Sequence, residues 1–417
     1  MPNTINTNKS APGRIAKVAA TMFADDMQFV KTIAREDSVD FAPQVGGYKP
    51  GDTIFINKPA RFTTGTNRDI TSTIQDITEE KVAMTLNQSF TAAVSLTSNE
   101  FATDMAFDSF VVRVLKPLVS QMAQRIESTF IQLACQSTAN VVGTAGSTVF
   151  NTLTMMQANQ RMSELLATGS ENEWIALLSP GAKTSAVDAR KGLFQSSEEI
   201  SKQYKRGVMG QADGFTYLSN NLMYTHTTGT GTQTDGSVTT TANMTNGAST
   251  IAVTGLTGSG TITAGTVFTV AGAFAVHPIT KATLPFLQPF VVTTTATASS
   301  GAATLSVSPT IYSSTGGGLQ NVSALPSSGA AVVFLTGKTT STNFQNSLTY
   351  CKDAFRFASV PLILPGGMDK AAQETVDGLT IRVLADHDIK TDQYILRIDF
   401  LGGFVPVRPE WAVRVTA

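Results

Sequence analysis

The 417-residue chain has 2 cysteines, 3 histidines and, over one long stretch, almost no charge. Residues 214–351 carry only Asp235, Lys281 and Lys338, whereas the other 279 residues carry the remaining 58 charged side chains. Two thiols, Cys135 and Cys351, cannot staple a chain of this length and their spacing makes no metal knot, so a reduced compartment is expected. No apolar run approaches the roughly 20 residues that span a bilayer, and the opening Met1-Pro2-Asn3-Thr4 lacks the apolar centre of a signal peptide. No membrane partner is therefore expected. A basic excess is missing too. Residues 1–213 hold 20 basic and 21 acidic groups and residues 352–417 hold 8 and 9, which argues against a dedicated nucleic-acid reader, because that needs concentrated Lys and Arg.

The charge-poor stretch is rich in Thr, Ser, Gly and Ala. It nevertheless keeps apolar runs such as Thr250-Ile251-Ala252-Val253 and Thr266-Val267-Phe268-Thr269-Val270, so it can bury a core. It reads as a β-module set into a host, because the chain beyond it is charged and periodic again. In the host, Val18, Met22, Met27, Val30 and Ile33 point to an amphipathic helix or helix pair between Ile15 and Arg35, with another subunit as candidate partner. From Gly46 the period changes. Thr53-Ile54-Phe55-Ile56 and the alternating Val82, Met84 and Leu86 suggest a long two-stranded excursion, which needs a surface to lie on.

The strongest helical pattern covers residues 101–135, where Phe107, Val111, Val114, Leu118, Met122, Ile126, Phe130 and Leu133 form one stripe. Pro117 should kink that helix or begin a new one. A helix of about 30 residues is about 45 Å long, the length of a spine. Beyond it, residues 154–166 read as a helix, 174–178 as a buried strand, and Ser179-Pro180 as the start of another helix. Leu379, Ile381 and Val383, then Tyr394, Leu396, Ile398 and Phe400, alternate as strands.

Chemistry-bearing patterns are sparse. Thr336-Gly337-Lys338-Thr339 looks like the end of a phosphate loop, but Val332 stands where that motif needs glycine, so a β-turn is expected. Asp386-His387-Asp388 lacks a second ligand pair and reads as a solvated turn. His226 and His277 have no acidic neighbour in sequence to orient them. No catalytic, cofactor-binding or metal-ligating residue is expected, and no cofactor.

Several strings resemble one family. Lys49-Pro50-Gly51-Asp52-Thr53-Ile54 through Lys58-Pro59-Ala60-Arg61-Phe62, then Gln75-Asp76-Ile77-Thr78, look like the extended loop of the major capsid protein of tailed bacteriophages, and of its short-tailed-phage coat-protein branch with an inserted β-barrel. Gly214-Phe215-Thr216-Tyr217 with Ser219-Asn220-Asn221 looks like that branch's strand into the insertion. Phe404-Val405-Pro406-Val407-Arg408-Pro409-Glu410 looks like its C-terminal strands.

The resemblance implies an α+β major capsid fold of the tailed-phage and herpesvirus type with an inserted all-β domain. The expected divisions are an N-terminal arm (1–45), an extended β-loop (46–98), the spine helix and core (99–221), the insertion (222–347) and a return to the core (348–417). It implies a non-enzymatic shell subunit that forms hexamers and pentamers of an icosahedral head around double-stranded DNA, assembled in the host bacterial cytoplasm. Its implied partners are itself, a scaffolding protein, a portal and non-specifically held DNA, with a decoration protein as a further candidate. The implied site residues are Val111, Val114, Leu118, Met122, Ile126 and Phe130 in the spine core. Phe55, Lys58, Arg61, Phe62 and Arg68 are the intersubunit candidates on the extended loop, and Lys9, Arg14 and Lys17 those on an interior-facing arm. The alternative is an extracellular β-rich adhesin or surface-layer protein. Ionic contacts are the ones that salt screens, so contacts made by the charge-poor module should survive high salt. Shells coming apart at that module on adding salt, seen by electron microscopy, would contradict this.

Overall fold

The computed structural model describes residues 12–35, 49–58, 62, 74, 80–97, 111–145, 151–169, 173–190, 210–231, 237–336, 341–365, 371–388, 390–391 and 393–416. The chain divides into two compact units. The first is Met1–Asn57, Lys81–Phe130 and Phe355–Val405; the second is Lys58–Glu80, Ile131–Ala354 and Pro406–Ala417.

A six-stranded sheet organises the first unit. Ala34–Arg35, Phe355–Ser359, Gln393–Pro406, Leu379–Asp388 and Ala371–Val376 follow one another across it, and Gln88–Thr97 pairs with Gln393–Pro406 as well. The arm helix Pro12–Asp26 lies on Ala371–Val376 and Leu379–Asp388. Its buried row is Ile15, Ala16, Ala19, Ala20, Phe23 and Ala24, where the alanines allow close approach, while Val18 and Met22 are only half-buried. This corrects the expectation that the segment turns toward another subunit. The alanines, which an apolar-anchor pattern underweights, fit it to its own sheet. Aromatic rings fill the space beneath: Phe23 lies 5.4 Å from Phe400, and Phe130 lies 5.3 Å from Phe357 and 5.6 Å from Phe404.

The spine helix runs over Lys116–Ser137, and its part up to Phe130 belongs to this unit. Pro117 sits in its first turn, where a missing N–H is harmless, and a π-helical turn, Val111–Leu115, precedes it. A π-turn is wider than an α-turn and shifts the register of what precedes it. Leu115 and Val119 are therefore fully buried, whereas the expected core residues Val114 and Leu118 are half-buried; Met122, Ile126 and Phe130 face inward. The earlier part of the expected stripe, residues 101–110, lies outside the described residues.

The expected excursion has a paired base. Thr53–Asn57 and Lys81–Thr85 pair antiparallel over five residues, and Leu86 packs with Val360 and Leu401. The expected end of this loop at residue 98 needs correction. Gln88–Thr97 is a strand of the six-stranded sheet, matched residue by residue with 393–402. Alternation announces a strand but not its partner, and here the partner lies some 300 residues away in the chain.

In the second unit a seven-stranded sheet has the order Val141–Gly143, Ala412–Thr416, Asn343–Tyr350, Ile175–Leu178, Phe215–Ser219 and Gln211–Ala212, and Thr225–Thr227 pairs with Asn343–Tyr350 as well. Helices Thr152–Glu164 and Pro180–Arg190 accompany it. Asn151 caps the first through the N–H of Thr154 at 2.9 Å, and the Ser179 hydroxyl accepts from the Ala182 N–H at 3.2 Å at the start of the second.

The described residues between 228 and 342 make a closed β-structure. Its six strands are ordered Thr239–Thr240, Ala248–Thr254, Ala302–Ile311, Thr283–Val292, Val267–Val276 and Val332–Phe334. The two end strands meet through a bridge between Thr239 and Ala331, with Val332 N–H donating to Val238 O at 2.8 Å. Closure removes the exposed edges that charged side chains otherwise protect, so a barrel can do with almost no charge. Entering and leaving strands are zipped together: Thr227, His226 and Thr225 pair with Asn343, Phe344 and Gln345, and Thr228 N–H donates to Thr342 O at 3.0 Å.

Phe268 is fully buried in this barrel, with Phe334 at 5.7 Å and Phe290 at 6.1 Å. Phe268→Ala is expected to destabilise the protein by about 3–5 kcal/mol in equilibrium urea unfolding. A loss below about 1 kcal/mol would mean that the ring is not part of a tight core.

Candidate functional site

The barrel is joined to the rest of the second unit by a buried polar cluster. Arg414, on the strand Ala412–Thr416, is fully buried, and its Nη1 donates to Gly265 O at 2.8 Å. Its Nε and Nη2 have no partner among the described residues. Gly265 has φ +89, and a Cβ there would stand 3.1 Å from Gln136 Cγ, so only glycine presents this carbonyl without strain. Gln136 Nε2 donates to the Tyr224 hydroxyl at 3.2 Å. That hydroxyl lies 3.4 Å from Nδ1 of His226, whose Nε2 lies 3.5 Å from the Thr263 hydroxyl. Phe344 packs on the imidazole at 5.3 Å between ring centres.

The electrostatics follow from burial. His226 is held down to about 4, mainly by desolvation and further by the Arg414 cation. The Cys135 thiol is pushed up to about 12 by burial, against a smaller pull from Arg414. Arg414 itself falls to about 10 by burial, partly offset by Cys135 and Tyr224, and stays charged at neutral pH. A thiol held protonated by burial is a poor nucleophile. The cluster joins segments that are far apart in the chain.

Two further contacts fasten the barrel. The Arg161 guanidinium, on the helix Thr152–Glu164, stands 3.4 Å over the centre of the Phe286 ring. Ala139 packs with Val267 and Val291. In the first unit the buried Glu127 carboxylate accepts from the N–H groups of Gln28 and Phe29 at 3.0 and 2.9 Å, which holds the chain after the arm helix to the spine helix.

The family model described as P22 coat protein, gene protein 5, matches residues 15–416. The chain belongs to the P22 coat protein family. With the family come the α+β tailed-phage capsid fold and a structural role as a phage major capsid protein that self-associates into the virion shell. The adhesin alternative has no support. Similar solved structures include the capsid of Ralstonia phage GP4, at 8% identity over 93% of this chain and 87% of that one with a TM-score of 0.46. Mycobacterium phage Che8 is 8% identical over 93% and 90%, with a TM-score of 0.45. The CUS-3 coat protein I-domain is 26% identical over 24% of this chain and 96% of that one, with a TM-score of 0.19. Comparison with curated proteins finds no match.

On the coat protein, the sequence candidates are scattered over several surfaces. Phe55 is 66% exposed on the outer face of its hairpin and Phe62 is 57% exposed. Lys58 forms an ion pair with Glu80 at 3.8 Å. Lys17 is exposed on the arm helix. Lys9, Arg61 and Arg68 lie outside the described residues, as does the side chain of Arg14. Asp386, His387 and Asp388 end the strand Leu379–Asp388, paired with 393–395, and are not the expected turn. The Asp388 carboxyl accepts from Lys390 N–H and the Thr391 hydroxyl, which hold it below the usual carboxylate range and close the turn that follows. Among the described residues no group of three or more His, Cys, Asp or Glu could hold a metal. The Thr336 hydroxyl accepts from Val267 N–H at 2.7 Å inside the barrel. Of the module's three charges, Lys281 donates to Gly318 O at 2.8 Å, while Asp235 and Lys338 lie outside the described residues.

Sequence reasoning missed Arg414, Glu127 and Arg161. The available signal was isolation: Arg414 stands between Val413 and Val415 in an otherwise apolar strand.

His226 binds its proton less readily folded than unfolded. Its stabilising contribution is therefore complete above about pH 6.5 and is lost as pH falls toward about 4. Unfolding free energy is expected to drop by up to about 1.4 kcal/mol per pH unit in that window from this residue, and His226→Gln should flatten that slope in urea titrations at stepped pH. An unchanged slope would contradict a buried neutral imidazole.

Proposed function

We propose that this coat protein forms hexamers and pentamers of an icosahedral head around double-stranded DNA, assembling in the host cytoplasm with a scaffolding protein and a portal. Residues 222–347 act as an inserted domain braced on its own subunit, and the protein has no catalytic task. A decoration protein on the outer face is compatible with this reading. The hairpin Thr53–Asn57 and Lys81–Thr85 carries it: Ile56 and Met84 are buried on one face while Phe55 stands out on the other. One exposed aromatic on a narrow hairpin suits a contact with the next subunit of a ring, where heterologous contacts close by rotation. Lys17, on the exposed side of the arm helix, supports an interior, weakly electrostatic role for the arm.

Phe55→Asp tests the reading, because the side chain bears on no core of its own subunit. The variant is expected to fold with unchanged unfolding in urea and to lower shell yield at least 10-fold when coexpressed with scaffolding protein, counted by electron microscopy. Normal shells at normal yield would overturn the assignment of the hairpin.

A further inference from the structure

Gln88–Thr97 borders the six-stranded sheet. All ten of its residues are matched with 393–402, with no register shift anywhere along the ladder. Among the described residues no strand lies on its other side. In an antiparallel ladder alternate residues turn N–H and C=O away from the partner, so about five donors and as many acceptors face outward here.

Such an edge is normally blunted by a charge, a proline, a bulge or brevity. This one has none of these: Gln88-Ser89-Phe90-Thr91-Ala92-Ala93-Val94-Ser95-Leu96-Thr97 contains no charged residue and no proline. Most other borders of the described sheets are short or protected, and Thr53–Asn57, also uncharged, has only five residues. Ala371–Val376 carries Glu374 and has the arm helix against it. Val141–Gly143 and Gln211–Ala212 have only three and two residues. The barrel closes on itself. Exposed Ser89, Thr91, Ala93 and Ser95 are small, so another backbone can come within hydrogen-bonding distance.

We propose that the free edge of Gln88–Thr97 accepts an extended segment of a second copy of this chain, extending the sheet across the subunit boundary. A segment of scaffolding protein is the other occupant to test. Self-association makes the second copy the stronger choice, since an edge repeated on every subunit needs an occupant at every subunit. The proposal rests on self-association alone and does not require the hairpin contact through Phe55.

Hydrogen exchange resolved to single amides tests it, comparing purified subunits with shells assembled from coat protein alone and with scaffold-filled shells. In subunits every second amide of 88–97 should exchange quickly. In scaffold-free shells those same amides should slow at least 100-fold, with the alternation lost. Fast exchange in all shells overturns the proposal, as does slowing already complete in the subunit or slowing that appears only with scaffold present. The paired variant Thr91→Lys with Ser95→Lys places charges beside the edge without touching the core. It should leave subunit unfolding unchanged and reduce assembly at least 10-fold, and undiminished assembly would overturn the proposal. Protection in shells formed by Phe55→Asp would separate the edge contact from the hairpin contact.

Discussion

The strand Asn343–Tyr350 is the constraint on which the second unit depends. It pairs along one side with Ala412–Thr416 and along the other with Ile175–Leu178 and Thr225–Thr227. Segments about 175 residues apart in sequence are thereby fixed in one ladder, and its main-chain hydrogen bonds leave no freedom of register once one face is buried. The loss of chain entropy in bringing such distant segments together is large. It is offset only when all the partners are in place, so this sheet should form late and as a whole.

The two units bury charge in contrasting ways. Glu127 receives two backbone N–H groups, a geometry in which a carboxylate remains comfortable away from water. Arg414 has one carbonyl acceptor and two donor nitrogens without a described partner, so its burial is unfavourable on balance. An apolar side chain of similar size would relieve that burden but would lose the directional bond to Gly265. We read the arginine as fixing where the barrel base meets the end of the spine helix at some expense in stability.

Local pattern identified most elements and failed wherever a partner was remote or a side chain was small. The strands around Ile175 and Phe400 and the helix containing Met155 and Met162 were legible because period and burial coincide there. The π-turn at Val111–Leu115 was not, because one extra residue changes which side chains face inward without altering their hydrophobicity. The arm helix was given another subunit as candidate partner, and its fit to its own sheet was missed because its contact row is mostly alanine, whose burial depends on close approach more than on apolar area. The barrel was visible as a composition but its closure was not, since Thr239 and Ala331 meet only in three dimensions. The joint around Arg414 draws single residues from separate segments, and no linear motif records it.

The zipped ends at Thr225–Thr227 and residues 343–345 have a mechanical consequence. Tension carried along Asn343–Tyr350 and its flanking strands passes the foot of the barrel without entering it, since the two chain ends of the barrel are side by side. The barrel is a branch off this ladder, free to change in size or sequence while the strands beneath it keep their register.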